Sequence, residues 1–243
     1  MRLPTFNRYI EPFLGSAAGF FKLAPENSLL SDVNEDLINL FRVIRDSPLR
    51  LSRAMGKLQS YHSQELYYRI RANEPKSEFS RAVRMLYLNR SCWNGLYRVN
   101  TQGKFNVPIG TKTNFILPTD DFARASEMLK KAKLECRDFE VAIDEAQRGD
   151  LVFLDPPYTV KHNMNGFVKY NENLFSWDDQ TRLRNAALRA AHRGANVIVT
   201  NANHESVKNL YAGLGSFEVS CRHSVIAGSA RARAATSELV IWL

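Results

Sequence analysis

Two short, almost continuous apolar runs constrain the fold of this chain more than any other feature. LVFL (151–154) and VIVT (197–200) each follow a longer stretch whose apolar residues have helical spacing. Strands that are apolar on both faces need cover on both faces, as in a parallel sheet between two helical layers. We therefore predict an α/β fold with a doubly wound sheet, in which ligands bind where the strands end.

The same alternation of strand and helix occurs towards both ends of the chain. RYIEPFLG (8–15) and SLLSDVN (28–34) are typical of strands that run into turns, and EDLINLFRVIRD (35–46) predicts a helix. Further strands are predicted at 134–139, 150–155, 195–201, 217–225 and 237–243. Further helices are predicted at 120–132, 140–148, 178–193 and 203–212.

The middle of the chain follows a different pattern. Residues 47–89 look helical and basic, and 96–110 predict a polar hairpin that turns near Gln102-Gly103. We therefore predict one sheet domain over 1–45 and 119–243, interrupted by a helical and hairpin subdomain over 46–118.

The net charge of +8 is confined to that middle region. Between Arg45 and Lys112 there are 13 Lys and Arg against 4 Asp and Glu, and the rest of the chain is nearly neutral. Such a stretch fits a surface that faces phosphates, and a solvated helical face explains it equally well.

The cysteines and the hydropathy bear on the compartment. The chain has three cysteines, Cys92, Cys136 and Cys221, which are widely spaced and contain no C-x-x-C pair. This odd number and wide spacing argue against a disulfide scaffold or a zinc site. No run of about 18 apolar residues occurs, so we expect no membrane span. A cytoplasmic protein is expected.

The segment LVFLDPPY (151–158) carries the clearest chemical signal. Asp155, Pro156, Pro157 and Tyr158 come where a buried strand ends. The prolines stiffen the loop and remove two N–H donors, so the carbonyls around Pro156 act only as acceptors. A rigid loop after a strand would explain the prolines without any chemistry.

An exocyclic amino group is the natural partner of this arrangement. Asp155 could accept one of its N–H groups and a Pro156 carbonyl the other, which favours a nitrogen lone pair aimed at an electrophile. Asp155 could then take the proton released. Tyr158 would offer a flat surface on which a purine can stack.

Other strand ends carry weaker signals. The small residues GSAAG (15–19) would let a ligand approach the backbone and a helix N-terminus. Asp32 could accept from ribose hydroxyls, or could instead cap the helix before Glu35. Asp138 and Phe139, expected at the end of the third strand, could bracket an adenine.

In their order along the chain, these motifs resemble the Dam-like (D12 class) N6-adenine-specific DNA methyltransferases. The resemblance covers almost the whole chain and rests on EPFLGSAAG, SDVN, CRDF, GDLVFLDPPY, VIVTN and the ending RHSVIAGSARARAATSELVIWL. It implies a Rossmann-like, seven-stranded methyltransferase sheet, S-adenosylmethionine as methyl donor, no metal, and direct transfer to N6 of adenine. It also implies double-stranded DNA as partner and a monomeric enzyme whose catalytic domain spans 1–45 and 119–243.

The resemblance assigns roles to individual residues. It makes the catalytic residues Asp155, Pro156, Pro157 and Tyr158. It makes the donor-binding residues Glu11, Pro12, Phe13, Gly15, Asp32, Asp138, Phe139 and Asp155.

The inserted segment SCWNGLYRVNTQGKFNVPIG (91–110) resembles the recognition hairpin of Dam enzymes that read GATC. This resemblance implies DNA contacts by Trp93, Asn94, Leu96, Arg98, Asn106 and Pro108. Trp93 would wedge into the duplex, or else belong to the subdomain core. Arg98 would read a guanine, whose O6 and N7 match its forked donors, or else contact a phosphate.

A duplex adenine must leave the base stack to reach a buried pocket, so base flipping is implied. The loop 161–175 would close over the flipped base. Its aromatic residues Phe167, Tyr170 and Phe175 could contact the base or could equally anchor the loop.

One departure from the family pattern leaves alternatives open. Family members usually have a segment like PFLKWAGGK before EPF, and only a few residues precede RYIEPF here. A catalytically weak or inactive Dam-like DNA-binding protein is one alternative. An amino-methyltransferase that acts on RNA or on a protein glutamine is another, although such enzymes often carry Asn in place of Asp155.

Overall fold

A computed structural model describes residues 3–100, 102–160, 175–223 and 235–243. The chain divides into two compact units. The first comprises Met1–Val33 and Glu135–Leu243, and the second comprises Asn34–Leu134.

Seven strands form one sheet. They are β1 (Tyr9–Glu11), β2 (Ser28–Asp32), β3 (Ala132–Cys136), β4 (Leu151–Leu154), β5 (Asn196–Ala202), β6 (Ser216–His223) and β7 (Ala235–Trp242). Their order in the sheet is β3-β2-β1-β4-β5-β7-β6. β1 is parallel to β2 and β4, β4 is parallel to β5, and β7 is antiparallel to β5 and β6. The strand order reverses between β1 and β4, where sheets of this kind bind their ligands.

The described part of the chain contains nine α-helices. They are α1 (Ala18–Leu23), α2 (Glu35–Asp46), α3 (Pro48–Ser60), α4 (Gln64–Ala72), α5 (Glu78–Ser91), α6 (Phe122–Leu129), α7 (Phe139–Asp144), α8 (Trp177–His192) and α9 (Glu205–Leu210). The predicted α/β fold is confirmed, and α2 has the bounds that its sequence pattern predicts.

Small apolar residues bring α8 close to the sheet. The helix begins with a capping box in which the Ser176 hydroxyl accepts from the Asp179 amide at 3.1 Å and the Asp179 carboxylate accepts from the Ser176 amide at 2.9 Å. Its buried face consists of Gln180, Leu183, Ala186, Ala187 and Ala190. This face joins the core formed by the side chains of β4, β5 and β7.

An aromatic cluster organises the second unit. The rings of Tyr87 and Phe115 meet edge to face at 5.2 Å, and His62 Nδ1 lies 2.8 Å from the Tyr87 hydroxyl. The buried Tyr67 hydroxyl donates to the Val107 carbonyl at 2.9 Å. These contacts tie Val107 and Phe115 to the helices α4 and α5.

The segment 96–110 is only a rudimentary hairpin. Single antiparallel bridges join Cys92 to Ile109 and Val99 to Phe105. The predicted turn is present, because Gly103 has a φ of 75° and donates to the Asn100 carbonyl at 2.9 Å. The continuous strand ladder expected of a hairpin does not form in the described part of the segment.

β1 ends at Glu11 and runs into a turn as predicted, because Pro12 has no N–H to donate to a neighbouring strand. One strand prediction has the wrong bounds. β3 is Ala132–Cys136 rather than 134–139. Asp138 does not end a strand: its carboxylate accepts from the Glu140 amide at 2.9 Å and caps α7, whose first residue is Phe139.

Candidate active site

Three carboxylate residues lie at the carboxyl ends of neighbouring strands in the first unit. Glu11 ends β1, Asp32 ends β2, and Asp155 follows β4. Since β2, β1 and β4 are adjacent and parallel, these residues share one edge of the sheet. Parallel strands bring together residues that are more than a hundred positions apart in sequence.

The turn after β1 is tied to the end of β2. Gly15 has a φ of 45°, and its amide donates to Asp32 Oδ2 at 3.2 Å. Among the described residues, the atom nearest to a Cβ added at Gly15 would be the Phe13 carbonyl oxygen at 4.0 Å, so the backbone angle rather than crowding favours glycine there. Ala17 adopts a similar left-handed conformation, with a φ of 56°.

Asp32 does not cap the following helix, so that alternative is wrong. Asn34 caps α2, its side chain accepting from the Leu37 amide at 3.2 Å. Asp32 remains on the sheet edge and helps to hold the Gly15 turn.

Glu11 is a buried carboxyl group on this edge. Its Oε2 accepts from the Phe20 amide at 3.2 Å. Burial raises the pKa of Glu11 to about 7, and the negative charge of Asp155 acts in the same direction. The Tyr9 hydroxyl and the Phe20 amide lower this pKa in part. The neighbouring Pro12 is buried, and Phe13 is half-buried.

In the loop after β4, Asp155 is exposed to solvent, whereas the three residues that follow it are buried or half-buried. Asp155 is exposed, Pro156 is buried, and Pro157 and Tyr158 are half-buried. Thr200 Oγ1 donates to Asp155 Oδ1 at 2.5 Å, and the Tyr158 hydroxyl lies 3.4 Å from the same oxygen.

Two buried side-chain amides form a chain of hydrogen bonds that ends at the carbonyl of the second proline, Pro157. Gln180 Nε2 donates to the Pro157 carbonyl at 3.4 Å, and Asn201 Nδ2 donates to Gln180 Oε1 at 3.0 Å. Asn201 Oδ1 accepts in turn from the Ala202 amide at 2.9 Å. Gln180 and Asn201 are fully buried. Sequence reasoning singled out neither residue, although VIVTN contains Asn201 and a glutamine on an apolar helix face is a detectable signal.

Phe139 belongs to an aromatic cluster with Phe13 and Phe175. Phe139 stacks on Phe13 with ring centroids 5.2 Å apart, and Phe175 lies 5.6 Å from both rings. The Arg182 guanidinium lies 4.8 Å from the centre of the Phe139 ring and donates to Asp138 Oδ1 at 2.9 Å. Phe175 is buried against these two rings.

The other two aromatic residues predicted for that loop, Phe167 and Tyr170, lie outside the described residues.

Most of the predicted DNA-contacting residues are exposed on the second unit. Trp93 is 45% exposed, which contradicts its alternative as a core residue. Asn94, Arg98 and Pro108 are exposed, whereas Leu96 and Asn106 are half-buried.

The backbone beside Trp93 is held from both sides. The Trp93 amide donates to the Pro108 carbonyl at 2.9 Å. The thiol of buried Cys92 lies 3.2 Å from the Leu96 carbonyl, and burial raises the pKa of that thiol to about 11. Cys92 is therefore a protonated structural residue at neutral pH.

Asn106 orients Arg98. Its Oδ1 accepts from Arg98 Nε at 2.8 Å. This bond uses the Nε–H, and the end of the planar guanidinium that carries the two terminal nitrogens lies outside this contact.

In the described residues, no group of three or more His, Cys, Asp or Glu side chains could hold a metal ion. None of the helices described above is long and apolar enough to cross a membrane.

Comparisons with known proteins agree with this geometry. The family model of the D12 class N6 adenine-specific DNA methyltransferases matches residues 2–225. The chain is 36% identical over 215 residues to the Type II methyltransferase M1.LlaDCHI of Lactococcus lactis subsp. cremoris, which covers 85% of this chain and 76% of that relative. It is 31% identical over 244 residues to the Retron Ec67 DNA adenine methylase of Escherichia coli. This match covers 98% of this chain and 84% of that relative.

A third relative is much longer. The DNA N-6-adenine-methyltransferase of Escherichia phage P1 is 35% identical over 217 residues, which cover 88% of this chain and 29% of that protein.

The family match identifies the chemistry. The substrate of a DNA methyltransferase is DNA, and a methyltransferase of this kind uses a donor of the S-adenosylmethionine type. This assignment favours DNA adenine over the alternatives of RNA and protein glutamine. The chain therefore belongs to the D12 class N6 adenine-specific DNA methyltransferases.

Proposed function

We propose that this enzyme methylates N6 of an adenine that is flipped out of duplex DNA, within the sequence GATC, with S-adenosylmethionine as donor. The observation that carries the proposal is the Asp155 carboxylate, exposed at the end of β4 and held by Thr200 beside a proline-stiffened loop.

The sheet edge fits the donor that the family implies. S-Adenosylmethionine carries a ribose diol, a sulfonium and an ammonium group, and it would supply an electrophilic methyl group when bound. Carboxylates suit all three features, because they accept from hydroxyls and attract positive charge. Asp32 would bind the ribose, and Asp155 would provide negative charge at a neighbouring strand end, to which Glu11 would add when it is deprotonated. Phe13, Gly15, Asp138 and Phe139 would complete the donor site.

The catalytic step rests on two acceptors of the loop. Asp155 would accept one N6–H of adenine and the Pro156 carbonyl the other, which turns the nitrogen lone pair out of conjugation with the ring. Methylation leaves a positively charged, acidic nitrogen, and the Asp155 carboxylate can take its proton. Tyr158 would stack on the flipped base.

The second unit would read the sequence. Its 46–118 part carries the basic excess that suits a phosphate backbone. Exposed Trp93 would fill the gap beside the flipped base, and Asn94, Leu96 and Pro108 would contact the bases around it. Arg98, oriented by Asn106, would direct its terminal nitrogens to O6 and N7 of a guanine. We propose that the enzyme works as a monomer.

A methylation assay with three duplexes tests activity and target together. The duplexes contain GATC, its permutation GTAC, and GATC already methylated at N6 on both strands. We expect new N6-methyladenine, measured by mass spectrometry of nucleosides, only in the first. Asp155→Asn tests the site, and we expect it to lose at least about a hundredfold in kcat, because an amide cannot take the proton.

Two further measurements test flipping and recognition. 2-Aminopurine in place of the target adenine should become more fluorescent when the enzyme binds, because the base leaves the stack. Arg98→Ala should lower discrimination between GATC and duplexes in which the guanine contacted by Arg98 is replaced, by about 5- to 150-fold. Equal methylation of GATC and GTAC would refute the target. A protein that binds duplex DNA but neither binds S-adenosylmethionine nor methylates the duplex would support the inactive alternative.

A further inference from the structure

Thr200 is buried beside the exposed carboxylate, and the proposed chemistry does not use it. β4 and β5 are parallel, and Leu154 pairs with Val199 at the end of their ladder. The next residues along the two strands are therefore Asp155 and Thr200. The pairing of the strands, rather than a flexible loop, brings the hydroxyl of one to the carboxylate of the other.

The hydroxyl of Thr200 has one proton and two acceptors within reach. Oγ1 lies 2.5 Å from Asp155 Oδ1 and 3.4 Å from the Leu154 carbonyl oxygen. The proton goes to the nearer and charged acceptor, because hydrogen bonds to ionised groups are shorter and stronger than those to neutral groups. Thr200 is also β-branched, so burial leaves its χ1 little freedom to turn the hydroxyl elsewhere.

The two oxygens of Asp155 differ in their surroundings. Oδ1 accepts from Thr200 and has the Tyr158 hydroxyl at 3.4 Å. No donor from the described residues contacts Oδ2. A carboxylate held through one oxygen by a buried strand residue keeps its plane and presents the other oxygen.

We propose that Thr200 is a positioning residue, which engages Oδ1 of Asp155 so that Oδ2 receives the amino group of the substrate adenine. Thr200 does not touch the substrate; it acts by fixing the direction of the Asp155 carboxylate. The inference deepens the proposed function, since it rests on Asp155 as the residue that grips the amino group.

Three variants test this role. Thr200→Val keeps the shape and loses the hydroxyl, whereas Thr200→Ser keeps the hydroxyl. Thr181→Val is the matched control, because it removes a hydroxyl that donates to the Trp177 carbonyl at 3.2 Å within α8. The assay measures kcat for methylation of a GATC duplex, the dissociation constant of S-adenosylmethionine, and KM for the duplex.

We expect Thr200→Val to lower kcat by about 10- to 100-fold, the value of one hydrogen bond to a charged group. Binding of donor and duplex should stay within about twofold, because the lost contact positions a reacting group and binds neither ligand. Thr200→Ser should recover kcat to within about threefold of the wild type, and Thr181→Val should match the wild type. Thermal unfolding checks each fold, and Thr200→Ala repeats the test if the valine variant does not fold.

The outcomes separate this inference from the proposed function. If Asp155→Asn retains wild-type kcat, the proposed site is wrong. If Asp155→Asn is inactive while Thr200→Val keeps full kcat, Asp155 is catalytic and the role of Thr200 is refuted. Equal loss in the serine and valine variants would also refute it, because the hydroxyl would not be the group that matters.

Discussion

The buried carboxyl of Glu11 should make the stability of this protein depend on pH, and Glu11→Gln isolates that dependence. Glu11 is 3% exposed and its Oε2 accepts from the Phe20 amide at 3.2 Å. Burial raises its pKa from 4.5 to about 7, because the charged form loses its hydration. Glutamine has nearly the same shape, keeps an oxygen for the Phe20 amide and does not titrate.

The sign follows from proton binding. The folded protein holds the proton of Glu11 more tightly than the unfolded chain does. The stability that this proton contributes is complete below about pH 4.5 and is lost as the pH rises through about 7. A pKa raised from 4.5 to about 7 corresponds to a maximum of about 3 kcal/mol, most of which is lost between pH 5 and pH 8.

Urea unfolding at pH 5, 6, 7 and 8 measures the effect. We expect the free energy of unfolding of Glu11→Gln, relative to the wild type, to rise by about 2–3 kcal/mol across this range. Glu205→Gln is the control, since Glu205 is an exposed carboxylate on α9 of the same unit and its variant should follow the wild type. A difference between Glu11→Gln and the wild type that stays constant with pH would refute the reasoning.

Three further variants test packing and backbone geometry, each by the free energy of urea unfolding. Asn201→Leu removes the donor to the side-chain oxygen of buried Gln180 and should lower the free energy of unfolding by about 1–3 kcal/mol. An unchanged stability would mean that water or another group replaces the lost donor. Gly19→Ala would place a Cβ 2.5 Å from the Tyr9 hydroxyl and should destabilise by about 1–3 kcal/mol, and a neutral result would show that this packing yields easily. Ala24→Gly should stabilise by about 0.5–1 kcal/mol, because exposed Ala24 ends α1 with a φ of 49°; destabilisation would contradict a strained cap.

Local sequence patterns were sufficient to predict most strands of the sheet, and they predicted both end residues of helix α2. The apolar runs at 151–154 and 197–200 became the parallel strands β4 and β5. EDLINLFRVIRD became α2 within Glu35–Asp46, because its apolar spacing is matched by acidic residues in the first turn and by Pro48 just beyond its end. In these cases the intrinsic preference and the burial of one face agree.

Local patterns failed where two elements compete for the same residues. CRDF predicted the end of a strand, yet Asp138 caps α7 and the strand stops at Cys136. Capping satisfies an amide that would otherwise lack a partner, and Phe139 gains burial against Phe13. Neither gain is visible from a strand pattern alone.

The sequence by itself determined the order of the strands along the chain, the rigid acceptor loop after β4 and the family, because each depends on residue type over short spans. Only the tertiary structure decided that Glu11 is buried, that Asp32 holds Gly15 and that Thr200 meets Asp155. These contacts join positions between 9 and 45 residues apart in sequence. They depend on which strands are neighbours in the sheet, and that order is a property of the packed core rather than of any local segment.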